Sequence, residues 1–100
     1  MAKRKVIWSK QAKEELDYYC SQIALDSVSS AKKVRSKITS TSKDLGDFPS
    51  IYQLDEYYPC KNGNVRRFFC WNYRVVYEIF DDTVIILRIY HTRMRPENIK

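Results

Sequence analysis

The apolar residues of this chain change period once, and that change constrains the fold more than any other feature. Ala12, Leu16, Tyr19 and Ile23 recur at helical spacing, with Lys13, Glu14 and Asp17 on the other side. Val28, Ala31, Val34 or Arg35, Ile38 and Leu45 repeat the pattern. Past residue 50 the period falls to two. Tyr52, Leu54 and Glu56 alternate with Ile51, Gln53 and Asp55, and residues 65–71 and 73–80 read as strands. Thr83–His91 is almost continuously apolar, as expected of a central strand.

The punctuation agrees with this division. Lys5–Trp8 is a short strand-like run, and Ser9 is placed to cap the first helix. Asp26 or Ser27 breaks and re-caps the chain, and Gly46 is placed as a C-terminal cap. Phe48 and Pro49 form a loop, Asn62-Gly63 is a hairpin signal, and Asp81-Asp82 is a turn. The polar, basic segment 92–100 contains Pro96, which opposes regular structure. The expectation is one α+β domain over residues 1–100. A short N-terminal strand and a two-helix hairpin precede three to four antiparallel strands in a twisted sheet packed on the helices. Its other face is partly open.

Composition narrows the function. One hundred residues, 44% hydrophobic and 14% aromatic, suffice for a core without disulfide staples. No run approaches the roughly 20 apolar residues of a membrane span, and no apolar segment follows the basic start as a secretory signal requires. A single histidine excludes a metal site built on a histidine pair, and two glycines exclude a glycine-rich phosphate loop. No metal and no cofactor is therefore expected. Cys20, Cys60 and Cys70 lack C-x-x-C spacing, which fits buried thiols in a reducing cytoplasm.

The net charge is +6 and the pI about 9.3, which calls for an acidic partner, nucleic acid or protein. Before Val65 the only arginines are Arg4 and Arg35; after it come Arg66, Arg67, Arg74, Arg88, Arg93 and Arg95. Arginine offers a planar fork suited to phosphate or carboxylate. Arg74 falls on the strand face opposite Tyr73, Val75 and Tyr77. It either pairs with Glu78 along that face or clamps a phosphate together with Arg67. Two arginines so placed repel unless an anion joins them. His91 ends the last strand and is the one side chain that titrates near neutrality unaided. Such residues are more often plain surface than acid or base. Asp55 and Glu56 are the nearest carboxylates for acid–base work. Tyr19 and Tyr77 read as core, whereas Tyr57, Tyr58 and Tyr90 are freer to stack on bases.

Taken together, the order of elements and three segments resemble the RelE/ParE superfamily of bacterial toxins. The segments are Val6-Ile7-Trp8-Ser9 with Ala12 and Leu16, Tyr73-Arg74-Val75-Val76-Tyr77-Glu78-Ile79, and Val84 through Arg93. The resemblance covers nearly the whole chain. It implies the toxin of a type II toxin–antitoxin pair, neutralised by a cognate antitoxin. RelE-like members cut mRNA in the ribosome; ParE-like members inhibit DNA gyrase and have no nuclease site. For the first branch the resemblance makes Arg74, His91 and Arg67 catalytic, with Asp55 or Glu56 as a possible acid or base. Arg66, Arg88, Arg93, Lys61 and Tyr90 would bind substrate. The chain departs from RelE in lacking its lysine-rich centre: Lys61 is the one lysine between Lys43 and Lys100. The working expectation is a cytoplasmic, metal-independent endoribonuclease that binds ribosome and mRNA. The alternative is a gyrase inhibitor.

Overall fold

A computed structural model describes residues 3–55 and 64–93. The elements run β1 (Lys5–Trp8), α1 (Lys10–Asp26), α2 (Val28–Asp44), β2 (Val65–Cys70), β3 (Tyr73–Ile79) and β4 (Thr83–His91). They form one four-stranded sheet of order β1-β4-β3-β2. The last three strands are antiparallel, and β1 joins β4 in parallel, Lys5 opposite Thr83 and Trp8 opposite Ile86. The expected fold is the observed one, and β4 is central. Among the described residues the alternation from residue 51 to 55 yields a single bridge, Leu54 opposite Arg66, rather than a fourth antiparallel strand. The Asn62-Gly63 turn, Glu56, Tyr57, Tyr58, Cys60, Lys61, Arg95 and Pro96 lie outside the described residues.

Two serines set the helix boundaries. The Ser9 hydroxyl accepts from the Ala12 amide at 3.0 Å, and that of Ser27 accepts from the Ser30 amide at 3.1 Å. The Ser27 amide also donates to the Ile23 carbonyl, so one residue closes α1 and opens α2. Gly46 is not a left-handed cap. The C-cap is Leu45, at φ −64°, and a Cβ on Gly46 would sit 2.6 Å from the Arg4 carbonyl. Glycine is required there because β1 passes so close, and the Arg4 amide donates to the Gly46 carbonyl at 2.9 Å.

Both helices cover one face of the sheet. Ala12, Leu16, Cys20, Ile38 and Leu45 pack on Phe68, Cys70, Tyr73, Val75, Tyr77, Ile86 and Ile89. Val34 joins that core, while Arg35 turns outward to Asp17 at 2.8 Å. Val28, expected inside, is exposed. Tyr77 is fully buried, and its hydroxyl donates to the Pro49 carbonyl at 2.7 Å.

One irregularity decides what the other face carries. Val76 pairs with Arg88 but Tyr77 pairs with Ile86, so Leu87 is an extra, bulged residue. Strict alternation from Ile86 would send Arg88 and Tyr90 into the helix-side core. The bulge flips the parity, so Ile86 and Ile89 face the helices while Arg88 and Tyr90 face away.

Beyond the end of β1 the edge of β4 would be bare, a hazard for pairing with other chains. Side chains of α1 and of its cap Ser9 cover it. Ser9 donates to the Leu87 carbonyl at 2.8 Å, Glu15 accepts from the Ile89 amide at 2.9 Å, and the Tyr19 hydroxyl accepts from the His91 amide at 3.2 Å.

Candidate functional site

The face away from the helices gathers most of the singled-out residues. Arg67 and Phe69 from β2, Arg74 and Val76 from β3, and Arg88 and Tyr90 from β4 all point there by their register. Gln53 and Asp55 join them from the segment bridged to the outer edge of β2. The Asp55 amide donates to the Val65 carbonyl at 2.8 Å, and the Arg67 amide to the Gln53 carbonyl at 3.0 Å.

The side chains form a row across the sheet. Asp55 Oδ1 lies 3.6 Å from Arg74 Nη1 and 3.9 Å from Arg67 Nε. The guanidinium of Arg74 sits 4.9 Å from the centre of the Tyr90 ring, and that of Arg88 sits 4.8 Å from the same ring. Arg88 then meets Glu15 at 2.7 Å through Nη2 and 2.9 Å through Nε. The order is carboxylate, guanidinium, ring, guanidinium, carboxylate. Arg67 additionally stacks on Phe69 at 4.9 Å. Three cations are tolerated on one face because two carboxylates and the π-faces of Tyr90 and Phe69 lie between or beside them. The anion needed to join Arg67 and Arg74 is therefore built in.

The centre of the row is shielded from water, whereas Arg67, Arg88 and Glu15 keep 16%, 18% and 21% of their side chains exposed. Asp55 has 0% of its side chain exposed and Arg74 6%. Tyr90 is 2% exposed, so it is core rather than a free stacking ring. Glu78 is not among the ion-pair partners of Arg74.

The remaining candidates lie elsewhere. Arg66 points to the helix side and donates to the Tyr52 carbonyl at 2.7 Å. His91 pairs with Tyr73, whose ring belongs to the helix-side core, so His91 and Arg74 occupy opposite faces. The imidazole stands edge-on to Tyr73 at 5.3 Å. Its Nδ1 accepts from the Arg93 amide at 3.0 Å, which puts the proton of the neutral ring on Nε2. Arg93 is exposed. Lys61 and Glu56 lie outside the described residues.

The structure also shows a residue that sequence reasoning missed. Glu15 is not among the residues singled out by the sequence, yet it anchors one end of the row. No local signal could reveal this, because its partners Arg88 and Ile89 are more than seventy positions away. Burial raises the pKa of the Tyr19 and Tyr73 hydroxyls and of the Cys20 and Cys70 thiols, keeping all four neutral near pH 7. Among the described residues no group of histidine, cysteine and carboxylates could hold a metal ion. None of their helices is long and apolar enough to cross a membrane.

The fold is shared with solved toxin structures. The chromosomal ParDE system of P. aeruginosa matches with a TM-score of 0.67 and 20% identity, over 88% of this chain and 95% of the other. The toxin–antitoxin complex RelBE2 from Mycobacterium tuberculosis matches with a TM-score of 0.63 and 19% identity, over 91% and 93%. The YoeB dimer from Staphylococcus aureus matches with a TM-score of 0.61 and 20% identity, over 90% and 99%. No curated protein sequence matches. The family described as the ParE toxin of the type II toxin-antitoxin system parDE matches residues 6–96. With the strand order, the helical hairpin and nine-tenths of the sequence in agreement, the chain belongs to the ParE family of type II toxin–antitoxin toxins.

Proposed function

We propose that this toxin acts by binding and inhibiting DNA gyrase, without nuclease chemistry, and that a cognate antitoxin silences it. The observation that carries this reading is the separation of Arg74 from His91 by the sheet itself. Cleavage through a ribose 2′-hydroxyl needs a base, a phosphate-binding cation and an acid around one phosphorus atom. Arg74 and His91 cannot reach the same atom from opposite faces. Arg74 is moreover held by Asp55 and Tyr90, so a phosphate would have to displace a buried carboxylate. An endoribonuclease that binds ribosome and mRNA is the second reading, favoured by the convergence of Arg67, Arg74 and Arg88 on one face.

The antitoxin would bring acidic residues to the +6 surface and fold on it, so its association slows as salt rises. A supercoiling assay beside a translation reaction with primer extension tests the choice. Lost supercoiling with intact mRNA is expected, and His91→Ala should leave that inhibition unchanged. Ribosome-dependent cuts that vanish in His91→Ala would overturn the reading.

A further inference from the structure

The face of α2 turned away from the core carries cations that the sheet-side row does not use. No acidic residue lies between Asp26 and Asp44, and Lys32, Lys33, Lys37 and Lys43 fall in that stretch. Arg35 has Asp17, but among the described residues no carboxylate lies within 4 Å of Lys32, Lys33 or Lys37. These three lysines line a groove of about 430 Å³ with Ser36, Ser40 and Trp71. Lys33 and Lys37 stand one helical turn apart, about 6 Å along the axis.

Trp71 is the odd member. It is the first residue of the two-residue turn between β2 and β3, with φ at 51° and 62% of its surface exposed. Hairpin turns put Gly, Asn or Asp in that left-handed region, because a bulky side chain there is strained. An indole that strains the backbone and buries little surface adds little to the core. Its placement over a lysine-lined groove gives it another use.

A second groove adjoins the first across Ser36 and Ser40. Its volume is about 390 Å³, and Trp8, Thr39 and Lys43 also line it. Lys43 also lines a third, of about 710 Å³, with Lys3, Arg4, Lys5 and the carboxylate of Asp82, and Lys3 pairs with Asp47 at 3.7 Å. The chain's two tryptophans and seven of its cations thus line these three neighbouring grooves, together a track along α2.

We propose that this track binds single-stranded nucleic acid without sequence preference. A base stacks on Trp71, Lys33 and Lys37 neutralise phosphates, and the Ser36 hydroxyl donates to a phosphate oxygen. An exposed indole suits an unstacked base, and lysine point charges suit a backbone read without bidentate recognition. An acidic protein segment would use the lysines but has no need of the flat ring. The track lies on α2 and is independent of the Asp55–Glu15 row, so a failed gyrase assay leaves it standing.

The test is anisotropy of a labelled oligothymidylate of about 12 nucleotides, a length within small single-strand site sizes. Trp71→Asn places a residue suited to the turn, so its Tm should equal or exceed the parent's. Its affinity should nonetheless fall about tenfold. Lys33→Glu with Lys37→Glu should reduce the slope of log affinity against log salt by about 1.4, for two lost phosphate contacts. No binding at low salt overturns the proposal, as does undiminished binding by Trp71→Asn. Competition by polyglutamate as strong as that by unlabelled oligonucleotide also overturns it, in favour of an acidic protein partner.

Discussion

Replacing Asp55 with alanine removes the carboxylate that lies between two arginines. Its side chain is fully buried, 3.6 Å from Arg74 Nη1 and 3.9 Å from Arg67 Nε, and Arg74 is itself 6% exposed. Breaking a buried pair from one side leaves the remaining charge without its buried counterion, which costs about 3–5 kcal/mol. In a domain of this size each kcal/mol lowers Tm by about 4–8 °C, so Asp55→Ala should melt at least about 12 °C lower. Its effect should also persist in high salt, because a buried pair is weakly screened. The exposed pair of Asp17 and Arg35 is the control, and Asp17→Ala should cost under about 1 kcal/mol. Adding Arg74→Met to Asp55→Ala removes the stranded charge and should recover at least half the loss. Urea titrations of the parent, Asp55→Ala, Arg74→Met and the double variant measure this as a coupling energy. A loss below about 1 kcal/mol for Asp55→Ala, with no coupling to Arg74, would refute the reasoning. The guanidinium would then reach water without its partner.

Three further outcomes are expected. Glu15→Ala should cost about 2 kcal/mol, because it removes the ion pair with Arg88 and leaves the Ile89 amide without its acceptor; faster hydrogen exchange at Ile89 checks it. Burial raises the pKa of Tyr77, so its unfolded form loses a proton above about pH 10 while the folded form keeps it. The stability Tyr77 supplies is thus complete below pH 10 and declines as pH rises, so the gap between parent and Tyr77→Phe should narrow in denaturant titrations across that range. With Cys60→Ser in the background, Cys20 and Cys70 should react with a thiol reagent far more slowly than in urea, since burial keeps both protonated and shielded.

Much of the fold was legible because it is written in local pattern. The 3.6-residue period, the two serine caps and the continuous apolar run of β4 each bias a short segment without help from distant residues. Among the candidate site residues, Arg67 and Arg74 could be placed on one face because β2 and β3 alternate without interruption. The weak alternation that begins at residue 51 shows, among the described residues, as one bridge to β2, since alternation alone does not supply a second partner for its backbone.

What alternation could not give was the face of anything beyond Ile86. By itself the sequence determined the order and type of the elements, the helical face that packs, and the arginine excess of the second half. The tertiary structure decided which of those arginines meet. The bulge at Leu87 turns Arg88 and Tyr90 away from the core, leaves His91 on the helix side, and lets Glu15 and Asp55 close the row from opposite edges. A bulge leaves no mark in a run that is apolar at nearly every position, and ion pairs across more than seventy residues follow only from the packing of α1 along the uncovered edge of β4.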